Sequence, residues 1–297
     1  MAQGNMLLGY ARGSVGDVVF ARSKGKQTTR ARNRNPFNPR TDSQMIQRSK
    51  FTNASNFFTR GTQALFKFAY EDQRVGESDF NAFMRHNVKN SFLVAKDASE
   101  TPTYPAFGRW QLSEGSLREI KIQFHEPEEE DEGIYFYFDV PGMGQAAKWG
   151  DFSEKLIDNY NARNGDLLTV LRINQQGVST EQYPDFPPYV DTPITWDIHQ
   201  FALDVENEDT LSEHTHGVFD NAEGRVELEA QDTVSFEACA MIISRPNSKK
   251  LKVSTSHICG TRGFNDIYTD LHAPFWREYV LKSWEATGKA ILKGGSV

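Results

Sequence analysis

Hydrophobic positions change period twice along this chain. The first stretch alternates as a strand does. Asp17–Arg22 (DVVFAR) is β-branched and aromatic, Ser23-Lys24-Gly25-Lys26 reads as a turn, and Gln27–Arg34 continues extended, which predicts a β-hairpin. Asn35-Pro36 and Asn38-Pro39 end it, because the residue before proline is driven out of the helical region. Thr41 then has the character of an N-cap, with Gln44 completing a capping box. From Asp42 the period is helical: Phe51, Ala54, Phe58, Gly61, Leu65 and Phe68 are spaced three or four apart and predict one face. Polar Glu71–Glu77 breaks the pattern. Ser78 starts a second helix carrying Phe80, Phe83, Met84, Val88 and Phe92 on one side.

Asp97–Gly115 is rich in proline and glycine and marks a boundary, after which the period returns to two. Strands are predicted at Leu117–Phe124, Ile134–Val140, Leu167–Ile173, Ile194–Val205, His216–Phe219, Arg225–Glu229, Thr233–Ser244 and Leu251–His257. A short helix is predicted over Phe152–Ala162, started by Asp151 and closed by Asn164-Gly165. Two long loops interrupt this body, an acidic one at Glu126–Glu132 and a Pro/Tyr-containing one at Asn174–Pro193. A C-terminal helix is expected over Phe275–Ala286, behind Pro274, with a frayed tail after Gly288. The pattern as a whole predicts an α+β protein. It comprises a basic N-terminal β-hairpin arm (1–41), a helical hairpin (42–98) and a β-sandwich or jelly-roll-like body (116–297) with a C-terminal helix.

Charge sharpens this division. Residues 11–50 hold ten Lys/Arg against Asp17 and Asp42, a balance of +8, whereas the whole chain of 297 residues has a net charge of −7. The remaining residues therefore carry −15. On an extended strand Thr28, Arg30, Arg32 and Arg34 would share a face, about 6.6–7 Å apart. With Arg22, Lys24 and Lys26 they form a set suited to phosphates or to a row of carboxylates. Nucleic-acid contact, pairing with a neighbouring copy and plain solvation all fit such a row. Asn38, Pro39, Thr41 and Gln44 would position the arm against the first helix. Aromatic content of 12% argues against disorder. Two cysteines exclude a disulfide scaffold. No run is long enough to span a membrane and no signal-peptide pattern is seen, so synthesis and solubility in a cytoplasm are expected.

Catalytic and metal signatures are sparse. Gly25-Lys26 followed by Thr28 and Thr29 has the ending of a P-loop, but its leading glycine is replaced by Phe20. His214 and His216, with Glu213 and Asp220 nearby, would share a face if 216–219 were a strand. Polar loop histidines are the plainer reading, and no cofactor is expected. G-x-S-x-G, HExxH and CxxC patterns are absent.

One resemblance adds to these readings. The run Gly9–Phe20 (GYARGSVGDVVF), then Lys24-Gly25, Arg30-x-Arg32-Asn33 and Asn38-Pro39-Arg40-Thr41-x-x-Gln44-x-x-Gln47-Arg48 resembles a family of uncharacterised proteins from Bacteroidetes and their bacteriophages. SDFNAFMRHNVKNS (78–91) and ISRPNSKKLKVSTS (243–256) are similar in type. The resemblance implies a phage-encoded protein and brings no catalytic residues. The expectation is a non-enzymatic virion structural protein, found in the virion and in the host cytoplasm during assembly. It would form a homo-oligomer, with other virion proteins or DNA as further partners. A sequence-nonspecific DNA-binding accessory protein and a β-sandwich enzyme acting on a surface polymer are the alternatives.

Overall fold

The computed structural model describes residues 11–23, 26–35, 42–59, 67, 69–91, 105, 108–125, 133–145, 147–175, 193–222, 224–230, 236–245 and 251–261. The protein is mixed α+β with a strand-rich body. Its chain divides into two compact units, Met1–Arg40 with Leu292–Val297, and Thr41–Ile291.

In the first unit, strands β1 (Gly13–Val15), β2 (Val18–Ser23) and β3 (Lys26–Ala31) form an antiparallel sheet in chain order. Gly16 and Asp17 join β1 to β2, with Val15 opposite Val18. Gly16 takes φ +57° there, a conformation that costs a residue without Cβ little.

The second unit opens with helices α1 (Asp42–Phe57) and α2 (Asp79–Asn87). Strands β4 (Gln111–Ser113), β5 (Gln123–His125) and β6 (Tyr135–Asp139) follow, then helix α3 (Trp149–Tyr160). Next come β7 (Leu167–Gln175), β8 (Thr195–Ala202), the helical turn α4 (Leu211–Thr215), β9 (Asp220–Ala222) and β10 (Arg225–Glu229). The described chain closes with β11 (Phe236–Arg245), β12 (Lys252–Val253), β13 (Ser256–His257) and β14 (Cys259–Gly260). One sheet has the order β5-β6-β10-β9. A central sheet runs β12-β11-β7-β8, with β14 also on β11, and β4 pairs with β13.

Strands β7 and β11 of the central sheet are buried on both faces, and their alternation builds two cores. Leu168 and Val170 of β7 with Cys239, Met241 and Ile243 of β11 enter a cluster with Phe136, Phe138, Val226, Leu228, Trp149 and Phe152. The intervening Leu171, Ile173, Ala238 and Ala240 enter the other, with Phe57, Phe83 and Trp110. Continuous apolar runs such as LLTVL and ACAMII are what a doubly covered strand requires. Ala238 and Ala240 leave room for three large rings, which stack nearly parallel: Phe57 on Trp110 at 4.7 Å and 6°, and Phe83 on Trp110 at 5.5 Å and 17°.

Local signals explain most helix ends. Ser78 caps α2 by accepting from the Asn81 N–H. Helix α1 begins at Asp42. Among its described side chains the buried ones are Asn53, Ala54 and Phe57, with Phe58 just beyond, and Phe51 is 49% exposed. The expected face is thus rotated, since Asn53 and Phe57 fill the side that Phe51 leaves. Helix α3 starts at Trp149, three residues before the expected Phe152, and Asp151 accepts from the Lys148 N–H at 3.0 Å. Asn161, left-handed at φ 59°, ends it before Asn164-Gly165. A Cβ on Gly150 would press on the Val205 and Asn207 carbonyl oxygens at 2.6 and 2.7 Å, so the helix start sits directly on the loop after β8.

Other expectations shift. The predicted strand Leu117–Phe124 pairs only as Gln123–His125, although Ile122 and Phe124 do turn inward and Lys121 and Gln123 outward. Leu117 instead bridges to Ser254. The 97–115 loop contains β4. No strand covers His216–Phe219: residues 211–215 are helical, and His216 is their left-handed cap at φ 54°. Thr210 and Glu213 form the capping box that starts this turn. Lys24-Gly25, Gly61, Leu65, Phe68, Phe92, Glu126–Glu132, residues 176–192, the helix at 275–286 and the tail from 288 lie outside the described residues.

Candidate functional site

Three polar assemblies emerge from this scaffold. The first is on the N-terminal sheet. Val19 faces Arg30, Ala21 faces Thr28 and Ser23 faces Lys26 across the β2–β3 ladder. Alternation then places Lys26, Thr28 and Arg30 on one face and Arg22 on the opposite one. The Arg32 N–H donates to the Asp17 carbonyl oxygen at 2.6 Å, which carries the alternation one residue past β3 to Arg32. The expected row ends there. Arg34 bends away to Asp17, with its Nη2 2.5 Å from Oδ1. That pair is 73% and 68% exposed, so it contributes little and exchanges readily. Lys26, Arg30 and Arg32 are exposed. Gln44 is an exposed residue of α1. Lys24, Asn38, Pro39 and Thr41 lie outside the described residues.

The second assembly surrounds α2. Arg85 donates to Asp72 at 2.6 Å and, through Nη2, to Glu77 at 3.2 Å. His86 lies between Asp72 and Gln111, at 3.1 and 3.2 Å, and stacks on Tyr70 at 5.1 Å. Hydrogen bonds from Arg85 hold both carboxyls below the usual carboxylate range, and they push the guanidinium higher still. Burial pushes the Tyr70 hydroxyl far up, and it donates to the Gln111 carbonyl oxygen at 2.7 Å. Asn87, buried, spans the same strand by accepting from the Gln111 N–H and donating to its carbonyl oxygen. Each group here is bonded to its neighbours, so the assembly clamps α2 to β4.

The third is the outer face of the β5-β6-β10-β9 sheet. Residues directly opposite on a ladder share a face. Glu227 pairs with Tyr137 and Asp220, Glu229 with Tyr135, and Arg225 with Asp139. The Arg225 guanidinium lies over the rings of Tyr135 and Tyr137, 5.3 and 5.4 Å from their centroids. It also bonds Glu227 at 2.7 Å and the Tyr135 hydroxyl at 2.9 Å. The His125 ring stacks on Tyr135 at 4.5 Å. A cavity of about 350 Å³ opens beside them, lined by Tyr135, Asp220, Glu227 and Glu229 among others. The alternation in YFYFD (135–139) and RVELE (225–229) was the signal for this face.

The histidines singled out in the sequence do not share a strand face. His214, in α4, stacks on Trp149 at 4.4 Å and lies 3.5 Å from Asp209. His216 is exposed at the cap of that turn. A helix places residues two apart on different sides, so the shared face assumed for a strand is lost. Among the described residues no group of three His, Cys, Asp or Glu is placed to hold a metal ion.

A family of unknown function (DUF6266) matches residues 10–109. That segment contains β1–β3, α1 and α2, together with Asp72, Arg85 and His86. It stops before the strands of the tyrosine–carboxylate face. No curated protein and no solved structure matches this chain. Among the described residues, no helix is long and apolar enough to cross a membrane.

Proposed function

We propose that this chain is a non-enzymatic structural protein of a bacteriophage particle, capsid or capsid-associated. It self-associates through a sandwich-like, strand-rich body, and its N-terminal arm bears on a polyanion or on a neighbouring copy. The observation that carries this reading is the cationic side of the N-terminal sheet. Lys26, Arg30 and Arg32 share it, stand exposed and have no ion-pair partner among the described residues. A folded chain whose remainder is strongly acidic gains little stability from leaving three cations in water. Such a row instead favours a partner of opposite charge, with binding that weakens as salt rises. The second assembly supports the same conclusion, since its charged groups are mutually satisfied and clamp two elements together.

Light scattering with electron microscopy of the purified chain tests the assembly. A ring, shell or other closed oligomer is the expected result, and a monomer at every concentration contradicts it. For the arm, Arg30→Ala/Arg32→Ala should weaken whichever interaction it makes, self-association or nonspecific DNA binding, and flatten its salt dependence. An unchanged affinity in both assays removes the arm from the account.

A further inference from the structure

We infer that the outer face of the β5-β6-β10-β9 sheet is the docking surface for strand β3 of a second copy of this chain; the inference rests on the assembly reading above and names its contact surface. Charge is the first argument. The described residues of β6, β9 and β10 give this face Asp139, Asp220, Glu227 and Glu229 against the cation Arg225, a net of −3, with the outward Lys121 just before the start of β5. The basic side of β3 presents Lys26, Arg30 and Arg32, a net of +3. Among the described residues neither Asp220 nor Glu229 has an ion-pair partner, so both carboxylates are available to an incoming cation.

Chemistry is the second. Arg225 shows what this surface binds: a guanidinium over two tyrosine rings, with a carboxylate closing the ion pair. Guanidinium groups combine stacking with bidentate hydrogen bonding, and an ammonium group does not. Both rings already carry Arg225, and Tyr135 also carries His125. What the face offers a newcomer is carboxylate oxygen beside an aromatic rim, which suits a cationic side chain better than a stacked sugar or base.

Spacing is the third. The acidic groups do not converge as a metal site does. Glu227 and Glu229 stand two residues apart on one strand face, about 7 Å. Arg30 and Arg32 repeat at the same interval, so two rows of opposite sign share one period. A phosphate backbone would be repelled by this face, and it would compete for the arm rather than join the contact.

The test uses the full chain and two charge-reversed forms, each checked for native circular dichroism. Arg30→Glu/Arg32→Glu reverses the arm; Asp220→Lys/Glu229→Lys reverses the face. Self-association is followed by light scattering at low and high salt. Each variant alone should associate about tenfold more weakly than the parent, or worse. An equimolar mixture should recover association, because each variant then supplies what the other lacks. A parent that associates while both variants match it overturns the docking surface and leaves the assembly reading standing. Loss with the arm variant but not with the face variant also overturns it, and so does a mixture that fails to recover. An arm variant that loses only DNA binding assigns the row to nucleic acid instead. A monomeric parent overturns both readings.

Discussion

Cys239 and Cys259 are register partners on β11 and β14, yet both are free thiols. Burial pushes the Cys239 thiol well above its ordinary value and raises that of Cys259 to about 11. The thiolate is the reactive form, so at neutral pH very little of either is present. Both should therefore resist a thiol-specific chromogenic reagent in the native protein and react stoichiometrically once denaturant is added. Rapid native labelling of Cys239 would show that its strand opens. His216 illustrates a different residue-scale point. Its left-handed backbone ends α4, and Gly217 follows at φ 78° with its N–H donating to the Ser212 carbonyl oxygen at 2.8 Å. Histidine is among the residues that tolerate this conformation, and nothing in the histidine spacing announces it.

At the scale of elements, α2 is held by its cap and by the carboxylates that grip Arg85. Asp72 and Glu77 ionise more readily in the folded protein than in the unfolded chain. Their contribution is therefore complete above the ordinary carboxylate pKa of about 4, and it is lost as pH falls through the lower folded values. Asp72→Asn should reduce stability at neutral pH and flatten the stability-against-pH profile below about pH 4. Asp72 is 39% exposed, so solvent screening keeps the loss at neutral pH modest, no more than about 1 kcal/mol. Urea unfolding from pH 2 to 7 checks this; parallel profiles for variant and parent would mean that Arg85 does not depend on Asp72. Several such elements were legible from local pattern alone. The Ser78 cap, strand β6 and strand β10 follow from a capping residue or a strict alternation. The turn α4 was equally legible in Thr210–Glu213, a capping box, but the alternating residues after it suggested a strand. Strand β5 is shorter than its alternation: only residues 123–125 pair with β6, although β6 runs on to Asp139.

For the molecule as a whole, one sheet organises both cores. Ala240 of β11 sits at the centre of the arrangement, in the aromatic cluster on one side of a strand whose Met241 enters the other cluster. Ala240→Leu should cost about 1–3 kcal/mol through overpacking and shift tryptophan fluorescence, because Trp110 is in the same cluster. Chemical denaturation followed at the tryptophan band measures both effects. An unchanged midpoint would show that the Phe57–Trp110–Phe83 stack has slack.

Local sequence specifies most of the succession of strands and helices, the Ser78 cap, the polarity of charge between residues 11–50 and the rest, and the sparsity of catalytic motifs. These are properties of neighbours along the chain, set by backbone sterics and by side-chain period. The folded arrangement sets which alternate residues of β7 and β11 meet which core, turns Arg34 from the basic row to Asp17, and gathers tyrosines and carboxylates from β6, β9 and β10 on one outer face. Such outcomes depend on strand register and on what packs against each side, and no spacing within a single segment encodes them.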